Sequence, residues 1–379
     1  MNIRKLAWIA GLVLIFSTGC VQDQFRLTGG WSGVSGSDDA FYVATRDGRV
    51  VGIDGPRKDI LYSRGGDPLT YPPIGEDPVG PIYGTPHYDG DRVFVAYFDG
   101  KVQALNATDL SYLWRFPSRR DDTIGKIVGG PTVAGGLVIF GDSEGVVRAV
   151  DASKGTLVWT FQAGNAVWST PTVVDSVVYF GSFDHKFYAL SLQKGEPKWD
   201  RPFVADGAII TSPIVEEGKV FFGSFDGKFY ALNAFNGRPV WQQPFNADGW
   251  FWADPVNCSN GVICATTTNG SVYGINPQTG AEVWSYKDLF SDPIVAKPGV
   301  LDEQLVVVSR SGAVEFLAAA SGDELGSYHG IGSEVNADIS IHSDVIYLNQ
   351  MDRKIMALSS NPIKQLWKLD VSDKYLEDR

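Results

Sequence analysis

A tandem repeat is the feature of this sequence that most constrains its fold. The stretch GSFDGKFYALNAFNGRPVW, which ends at Trp241, closely repeats GSFDHKFYALSLQKGEPKW, which ends at Trp199. The same two-residue turn recurs eight times, with copies 40 to 45 residues apart after a first gap of 52. The eight turns are Asp47-Gly48, Asp99-Gly100, Glu144-Gly145, Asp184-His185, Asp226-Gly227, Asn269-Gly270, Ser311-Gly312 and Asp352-Arg353. A fixed period of this length predicts one supersecondary unit that stacks on copies of itself.

Each turn separates two segments that are typical of β-strands. Six of the eight turns carry Gly at the second place, because a two-residue hairpin loop needs a positive φ that Gly adopts cheaply. An apolar run such as Val177–Gly181 precedes the turn, and an alternating run such as KFYAL follows it. Alternation with a period of two indicates a strand with two differently packed faces.

Two further marks complete the unit. The first mark is a large aromatic residue, which recurs at the same position after the third strand of the repeat. The second mark is a proline at the start of the first strand. The aromatic register holds Tyr62, Trp114, Trp159, Trp199, Trp241, Trp284, Gly326 and Trp367, and the prolines are Pro86, Pro131, Pro171, Pro213, Pro255 and Pro293. A sheet of four antiparallel strands is too small to be stable alone, so we expect an all-β, eight-bladed β-propeller. The aromatic residues should wedge between blades, and blade 7 should pack loosely at Gly326 unless Tyr328 or Leu325 fills its place.

The N-terminal segment predicts export. Arg4 and Lys5 precede an apolar run from Leu6 to Phe16, which is too short to span a bilayer and has the layout of a secretory signal. The following STGC resembles a bacterial lipobox, although Ser17 stands where Leu is preferred, so lipidation is expected at Cys20. We therefore predict a signal peptide at 1–19, a lipidated linker at 20–29, the propeller at 30–371 and a C-terminal tail at 372–379.

The remaining cysteines and the net charge narrow the function further. Cys258 and Cys264 flank SNGVI, a hairpin turn in which an oxidising compartment would allow a disulfide. The alternatives are two small buried apolar side chains and half of a metal site, for which no His or further Cys lies near in the sequence. A formal net charge of -12 argues against nucleic acid as a partner.

The repeat GxxxGxxYALNxxxGxxxW resembles the quinoprotein-type, or PQQ-like, propeller repeat over about residues 30 to 371. An eight-bladed, lipidated, stand-alone version of it is similar to the BamB lipoproteins of the outer-membrane β-barrel assembly machinery. That resemblance implies a non-catalytic scaffold that binds protein partners. The fold by itself does not determine the function.

Another branch of this repeat family comprises quinone-dependent dehydrogenases, which hold pyrroloquinoline quinone and Ca²⁺ over the propeller axis. The resemblance to that branch is incomplete here, because no two cysteines are adjacent and no long insertion covers the axis. Asp254, Asp292 and Asp338 fit turn-capping positions, and Trp168 and Trp252 fit wedge positions. We expect no catalytic residue, no metal site and no cofactor.

Topology places the turns and the loops between blades on one face of a four-stranded meander, and these loops carry the long insertions 65–80 and 117–123. Aromatic side chains concentrate in the same loops, so this face is our candidate partner-binding surface. Its candidate residues are Trp31, Tyr83, Trp168, Trp250, Trp252 and Phe290. Packing between inner strands and a small-ligand pocket at the channel mouth are the alternatives.

These observations favour an exported, membrane-anchored lipoprotein, monomeric and facing the periplasm or the cell exterior, that mediates protein–protein interactions in the envelope. A propeller that binds a small ligand or carbohydrate is the second hypothesis, and a PQQ-dependent oxidoreductase is the third.

Overall fold

The computed structural model describes residues 32–45, 48–55, 59–61, 70–72, 80–119, 124–258, 261–287 and 289–372. These residues form eight antiparallel sheets in which the strand order follows the chain order. The all-β, eight-bladed propeller predicted from the repeat is thereby confirmed. Within the described ranges, no helix has the length and apolarity that crossing a bilayer requires. Cys20, Trp31 and Tyr62 lie outside the described residues.

Blades 1 to 4 follow one another along the chain. Blade 1 contains β1 Val34–Gly36, β2 Ala40–Ala44, β3 Val50–Asp54, β4 Asp59–Ile60 and β5 Thr70–Tyr71, of which both β4 and β5 pair with β3. Blade 2 contains β6 His87–Tyr88, β7 Arg92–Tyr97, β8 Lys101–Asn106 and β9 Tyr112–Phe116. Blade 3 contains β10 Thr132–Ala134, β11 Leu137–Gly141, β12 Val146–Asp151 and β13 Leu157–Gln162. Blade 4 contains β14 Thr172–Val174, β15 Val177–Gly181, β16 Lys186–Ser191 and β17 Phe203–Val204.

Blades 5 to 8 repeat the same meander. Blade 5 contains β18 Ile214–Glu216, β19 Lys219–Gly223, β20 Lys228–Asn233 and β21 Phe245–Asn246. Blade 6 contains β22 Val256–Cys258, β23 Val262–Thr266, β24 Val272–Ile275 and β25 Glu282–Tyr286. Blade 7 contains β26 Gly299–Leu301, β27 Gln304–Val308, β28 Val314–Ala318 and β29 Glu324–Tyr328. Blade 8 contains β30 Ser340–His342, β31 Val345–Asn349, β32 Lys354–Ser360 and β33 Ile363–Asp370.

The two middle strands of each blade are buried on both faces, because each blade packs against two neighbours. The buried apolar residues divide into eight clusters, and each cluster joins two adjacent blades. Phe187 of blade 4 stacks on Phe222 of blade 5 with ring centroids 4.2 Å apart and an interplanar angle of 8°. The hydrophobic core is therefore a ring of interfaces between blades rather than one central cluster.

Five tryptophans of the aromatic register form the same contact with the following blade. Each indole donates its Nε1–H to a turn carbonyl there and covers a glycine with positive φ. The acceptors are the carbonyl oxygens of Ala152, Leu192, Ala234, Pro277 and Ala319, which bind Trp114, Trp159, Trp199, Trp241 and Trp284 at 2.8 to 3.2 Å. The covered glycines are Gly155, Gly195, Gly237, Gly280 and Gly322, where an added Cβ would lie 2.5 to 2.6 Å from the indole.

The interface between blades 7 and 8 replaces this contact with aliphatic packing. Ile363 Cδ1 comes so close to Gly326 that an added Cβ would lie 2.7 Å from it. The Tyr328 hydroxyl hydrogen-bonds Gln365 at 3.0 Å, and Tyr328 packs on the shared core, whereas Leu325 is half exposed. Tyr328 and Ile363 therefore fill the space that a tryptophan at position 326 would occupy at this interface.

Side-chain contacts close the ring between blades 8 and 1. The Asn349 side-chain amide donates to the carbonyl oxygens of Ser32 at 2.8 Å and Ala44 at 3.2 Å. Ser340 accepts the backbone N–H of Val34, and Trp367 packs on Tyr347 in the shared cluster. Within the described ranges, blade 8 is built entirely from consecutive C-terminal strands, so no N-terminal strand completes it.

Two sequence predictions are resolved by the structure of blades 6 and 7. Cys258 and Cys264 form the expected disulfide across the β22–β23 hairpin, with Cα atoms 5.8 Å apart. The proline register is wrong at blade 7, because Pro298, and not Pro293, directly precedes the first strand, β26. The Pro293 carbonyl instead accepts a hydrogen bond from Arg310 in the loop between blades.

Candidate functional site

The two-residue turns and the loops between blades lie together on one face, which we call the turn face. In blades 2 to 8, the residue that precedes the two-residue turn donates its backbone N–H to a carbonyl oxygen in the adjoining loop. Phe183 donates to Ala166, Phe225 donates to Ala208, and Thr268 donates to Trp250, each at 2.9 Å. These bonds fix the loops onto the turns, so the side chains of both can pack together.

An aromatic cluster occupies the turn face over blades 4 to 6. We define it as Trp168, Phe183, Phe225, Trp250 and Trp252. Phe183 lies 4.6 Å from Trp168 and 6.3 Å from Phe225, measured between ring centroids. Phe225 in turn stacks on Trp250 at 5.7 Å and on Trp252 at 5.8 Å, at interplanar angles of 23° and 24°. Trp250 is 37% exposed, and the other four rings are half-buried.

The structure brings three of the sequence-selected residues into this cluster and leaves two elsewhere. Tyr83 is only 6% exposed and packs on Phe98, away from blades 4 to 6. Phe290 is also 6% exposed, because it lies in the loop that follows β25 and packs in the core between blades 6 and 7. Candidate partner-binding residue Trp31 lies outside the described residues.

Phe183 and Phe225 are functional candidates that the register argument missed. Both precede the turn aspartate in the repeated GSFD segment, so a signal for them is present in the sequence. Only the hydrogen bonds between turn and loop show that these two phenylalanines meet tryptophans from loops that are distant along the chain.

Aspartates surround the aromatic cluster, and several are tied to the turns. Asp226 accepts the hydroxyl of Tyr230 at 2.6 Å and the backbone N–H of Lys228 at 2.9 Å. Burial, with the nearby carboxylate of Asp226, raises the pKa of Tyr230 far above its usual range. Asp206 accepts a hydrogen bond from Lys228 at 2.5 Å, which lowers the pKa of Asp206. Such bonds keep the turns rigid under the aromatic rings.

The residues just before the first strand of each blade lie around the propeller axis, and we call them the axial ring. A backbone N–H of one blade donates to a side chain of the next. Gly130 donates to Thr170 at 2.8 Å, Thr170 donates to Ser212 at 3.0 Å, and Ser212 donates to Asp254 at 2.6 Å. Farther round, Lys297 donates its backbone N–H to Asp338 at 3.0 Å.

Among the residues of the axial ring that the structure describes, the charged ones belong to blades 6, 7 and 8. It places Lys297 between Asp254 and Asp338, on segments that lead into three neighbouring inner strands. Burial, together with the negative charge of Asp338, raises the pKa of Asp254 to about 6, and Lys297 opposes that shift only in part. A carboxylate that is costly to ionise marks a place where positive charge would be stabilised.

The axial residues do not fit a quinone with Ca²⁺. A hard cation of this size takes six to eight oxygen ligands. In the described part of the chain, no three His, Cys, Asp or Glu side chains converge on a common point. Lys297 stands between the two axial carboxylates, and the cysteines form a disulfide across a hairpin rather than an adjacent pair.

Comparison with protein families decides the classification. The family model described as "Outer membrane protein assembly factor BamB" matches residues 6–124, 77–255 and 249–378, which together span nearly the whole chain. The chain belongs to the BamB family. A search of curated proteins found no match.

Solved structures similar to this BamB-family chain share its fold at low sequence identity. BamB from Moraxella catarrhalis has a TM-score of 0.70 and 19% identity over 84% of this chain and 93% of that one. The computationally designed protein Ika8 has a TM-score of 0.70 and 15% identity over 87% of this chain and 96% of that one. The quinohemoprotein alcohol dehydrogenase from Comamonas testosteroni has a TM-score of 0.65 and 15% identity over 87% of this chain and 71% of that one.

Proposed function

We propose that this protein is a non-catalytic scaffold of the bacterial cell envelope whose aromatic cluster docks a protein partner. The observation that carries the proposal is the array of stacked rings on the turn face, with Trp250 at its exposed edge. Membership of the BamB family, whose model is described as an outer membrane protein assembly factor, supports an envelope role.

The cluster has the physical properties of a protein-binding hot spot. Its rings are already held by stacking and by the turn–loop hydrogen bonds, so docking would order few new rotamers. Large aromatic side chains that are rigid before binding supply much contact area for little lost entropy. Each of the five rings keeps part of its surface exposed, and this part can meet a partner.

A co-purification experiment tests this function. Full-length protein carrying Trp250→Ala should capture less of a stoichiometric envelope partner from detergent extracts than the unchanged protein does. Phe235→Ala is the matched control, because Phe235 is 87% exposed in a turn between the third and fourth strands of blade 5, on the opposite face. Equal loss of the partner with both variants, or no stoichiometric partner with the unchanged protein, would contradict the proposal.

The membrane anchor belongs to the same proposal, and its residues lie outside the described ranges. Lipidation at Cys20 would fix the propeller to a membrane by acyl chains. Cys20→Ser should abolish incorporation of labelled fatty acid and should release the protein from the membrane fraction. Full retention of the label by the variant would refute the anchor at this residue.

A further inference from the structure

The negative charge around the aromatic cluster is the starting point for a more specific inference about its occupant, which rests on the proposed function. The turns and loops that carry the cluster hold four aspartates against two lysines. These are Asp184, Asp206, Asp226 and Asp248 against Lys186 and Lys228. Four negative and two positive charges leave a net charge of about -2 around the rings at neutral pH.

The axial ring adds further negative charge on the segment that follows the cluster residue Trp252. Asp254 follows Trp252 by two residues on the segment that leads into β22, so the indole and the carboxylate belong to one short stretch of chain. Two carboxylates, Asp254 and Asp338, against the single ammonium of Lys297 leave one further negative charge. Each carboxylate has one oxygen engaged by a backbone N–H of a neighbouring blade.

The raised pKa of Asp254 shows that its negative charge is poorly compensated by its surroundings. Its pKa is raised to about 6, first by burial and then by repulsion from Asp338. A cation placed against this carboxylate would offset both causes.

From the stacked rings, the surrounding aspartates and the axial carboxylates, we propose that the occupant of this face is a basic segment of a protein partner that inserts an arginine side chain between the aromatic cluster and Asp254. Aromatic faces attract a guanidinium group by cation–π interaction, and arginine stacks on them better than lysine does. Carboxylates bind the N–H groups of the same guanidinium through charge-assisted hydrogen bonds. An acidic segment would be repelled by the aspartates around the aromatic cluster and by the axial carboxylates.

Peptide binding to purified full-length protein in detergent tests the inference directly. The probe is the blocked peptide acetyl-Ala-Arg-Ala-Ala-Arg-Ala-amide, and its matched control replaces both arginines by citrulline, which keeps the shape and removes the charge. Calorimetric titration should show at least about tenfold tighter binding of the arginine peptide, as expected when hydrogen bonds to a charged group are lost. Equal affinities would overturn the proposal.

Two substitutions separate recognition of the guanidinium by Asp254 from a general effect of surface charge. Asp254→Asn should weaken binding of the arginine peptide by about tenfold, whereas Asp302→Asn should leave it unchanged. Asp302 is exposed in a turn on the opposite face, so its replacement changes the net charge equally. Thermal unfolding verifies that both variants are folded. An affinity that falls equally in both variants, or in neither, would show that the axial carboxylate does not recognise the guanidinium.

The co-purification experiment distinguishes failure of this inference from failure of the proposed function. If Asp254→Asn captures the envelope partner as well as the unchanged protein does, recognition of an arginine by Asp254 is wrong and the scaffold role stands. If the unchanged protein captures no partner but selects the arginine peptide through Asp254, the scaffold role is wrong and recognition of an arginine is supported.

Discussion

Trp199 of blade 4 lies flat against Gly237 in the turn of blade 5. Its Nε1–H donates to the carbonyl oxygen of Ala234 at 3.0 Å, and a Cβ added to Gly237 would lie 2.5 Å from the indole Cε3 atom. The tryptophan and the glycine of the repeat are therefore two halves of one contact, although they belong to different blades. Gly237 is therefore required for two reasons: its φ is positive, and the indole leaves no room for a Cβ.

Gly237→Ala should destabilise the protein more than Gly218→Ala does. The two glycines have the same φ of 71°, but a Cβ on Gly218 would meet nothing within 4 Å. Gly218→Ala should lower the free energy of unfolding by about 1 kcal/mol, the cost of a left-handed residue. Gly237→Ala should lower the free energy of unfolding by the same amount and by about 1–3 kcal/mol more, because its Cβ clashes with the indole. Urea unfolding measures both, and equal effects would show that the indole moves aside without cost.

Trp199→Ala should lower the free energy of unfolding by about 3–5 kcal/mol, as the loss of a large buried aromatic side chain does. Trp199 is 5% exposed, so the variant leaves a cavity between blades 4 and 5 and loses the hydrogen bond to the Ala234 carbonyl oxygen. Trp250→Ala is the comparison, because a 37% exposed ring leaves no such cavity. Similar losses from the two variants in denaturant titrations would argue against the separate roles given to these tryptophans.

Asn349→Asp should weaken the ring closure while keeping the size of the side chain. The substitution removes the amide that donates to Ser32 and Ala44, and it leaves a carboxylate against two carbonyl oxygens. Buried groups without partners cost about 1–3 kcal/mol. Hydrogen exchange should show faster opening of β1 and β31 than of the strands in blades 4 and 5. Uniform exchange across all blades would contradict a closure that depends on Asn349.

The unchanged protein should become less stable as the pH rises from about 4 to about 7, because Asp254 ionises. Asp254→Asn should not show this part of the pH dependence. The pKa of Asp254 is raised from 3.8 in the unfolded chain to about 6 in the folded protein. The native state therefore holds the proton more tightly, and this stabilisation, complete below pH 3.8, is lost as the pH rises through 6. Melting temperatures across this range check the sign, with Asp302→Asn as the control. A difference between Asp254→Asn and the unchanged protein that does not vary with pH would refute it.

Replacing both Cys258 and Cys264 by alanine should lower the free energy of unfolding by about 2 kcal/mol, since the bond closes a short loop in the unfolded chain. Reduction of the unchanged protein with dithiothreitol should have a similar effect, and it should not alter the double variant. Denaturant unfolding under both conditions measures this. A large effect of the reductant on the double variant would point to another cause.

The sequence by itself determined the unit of this protein and the number of its copies. Turn glycines, alternating strands and the Trp199 register are local properties, since backbone geometry and burial on two faces impose them within each repeat. They were sufficient to predict eight blades, and the hairpin around Cys258 and Cys264 was sufficient to predict a disulfide.

Contacts between blades were decided only by the tertiary structure. The sequence could not show that Phe225 stacks on Trp250 and Trp252, that Ile363 covers Gly326, or that Asn349 closes the ring. Phe290 and Trp250 look alike as loop aromatics, yet one is buried in the core and the other lies on the surface. The physical reason is that such contacts depend on how each blade is rotated against the next, and that rotation is determined by the packing of the whole ring.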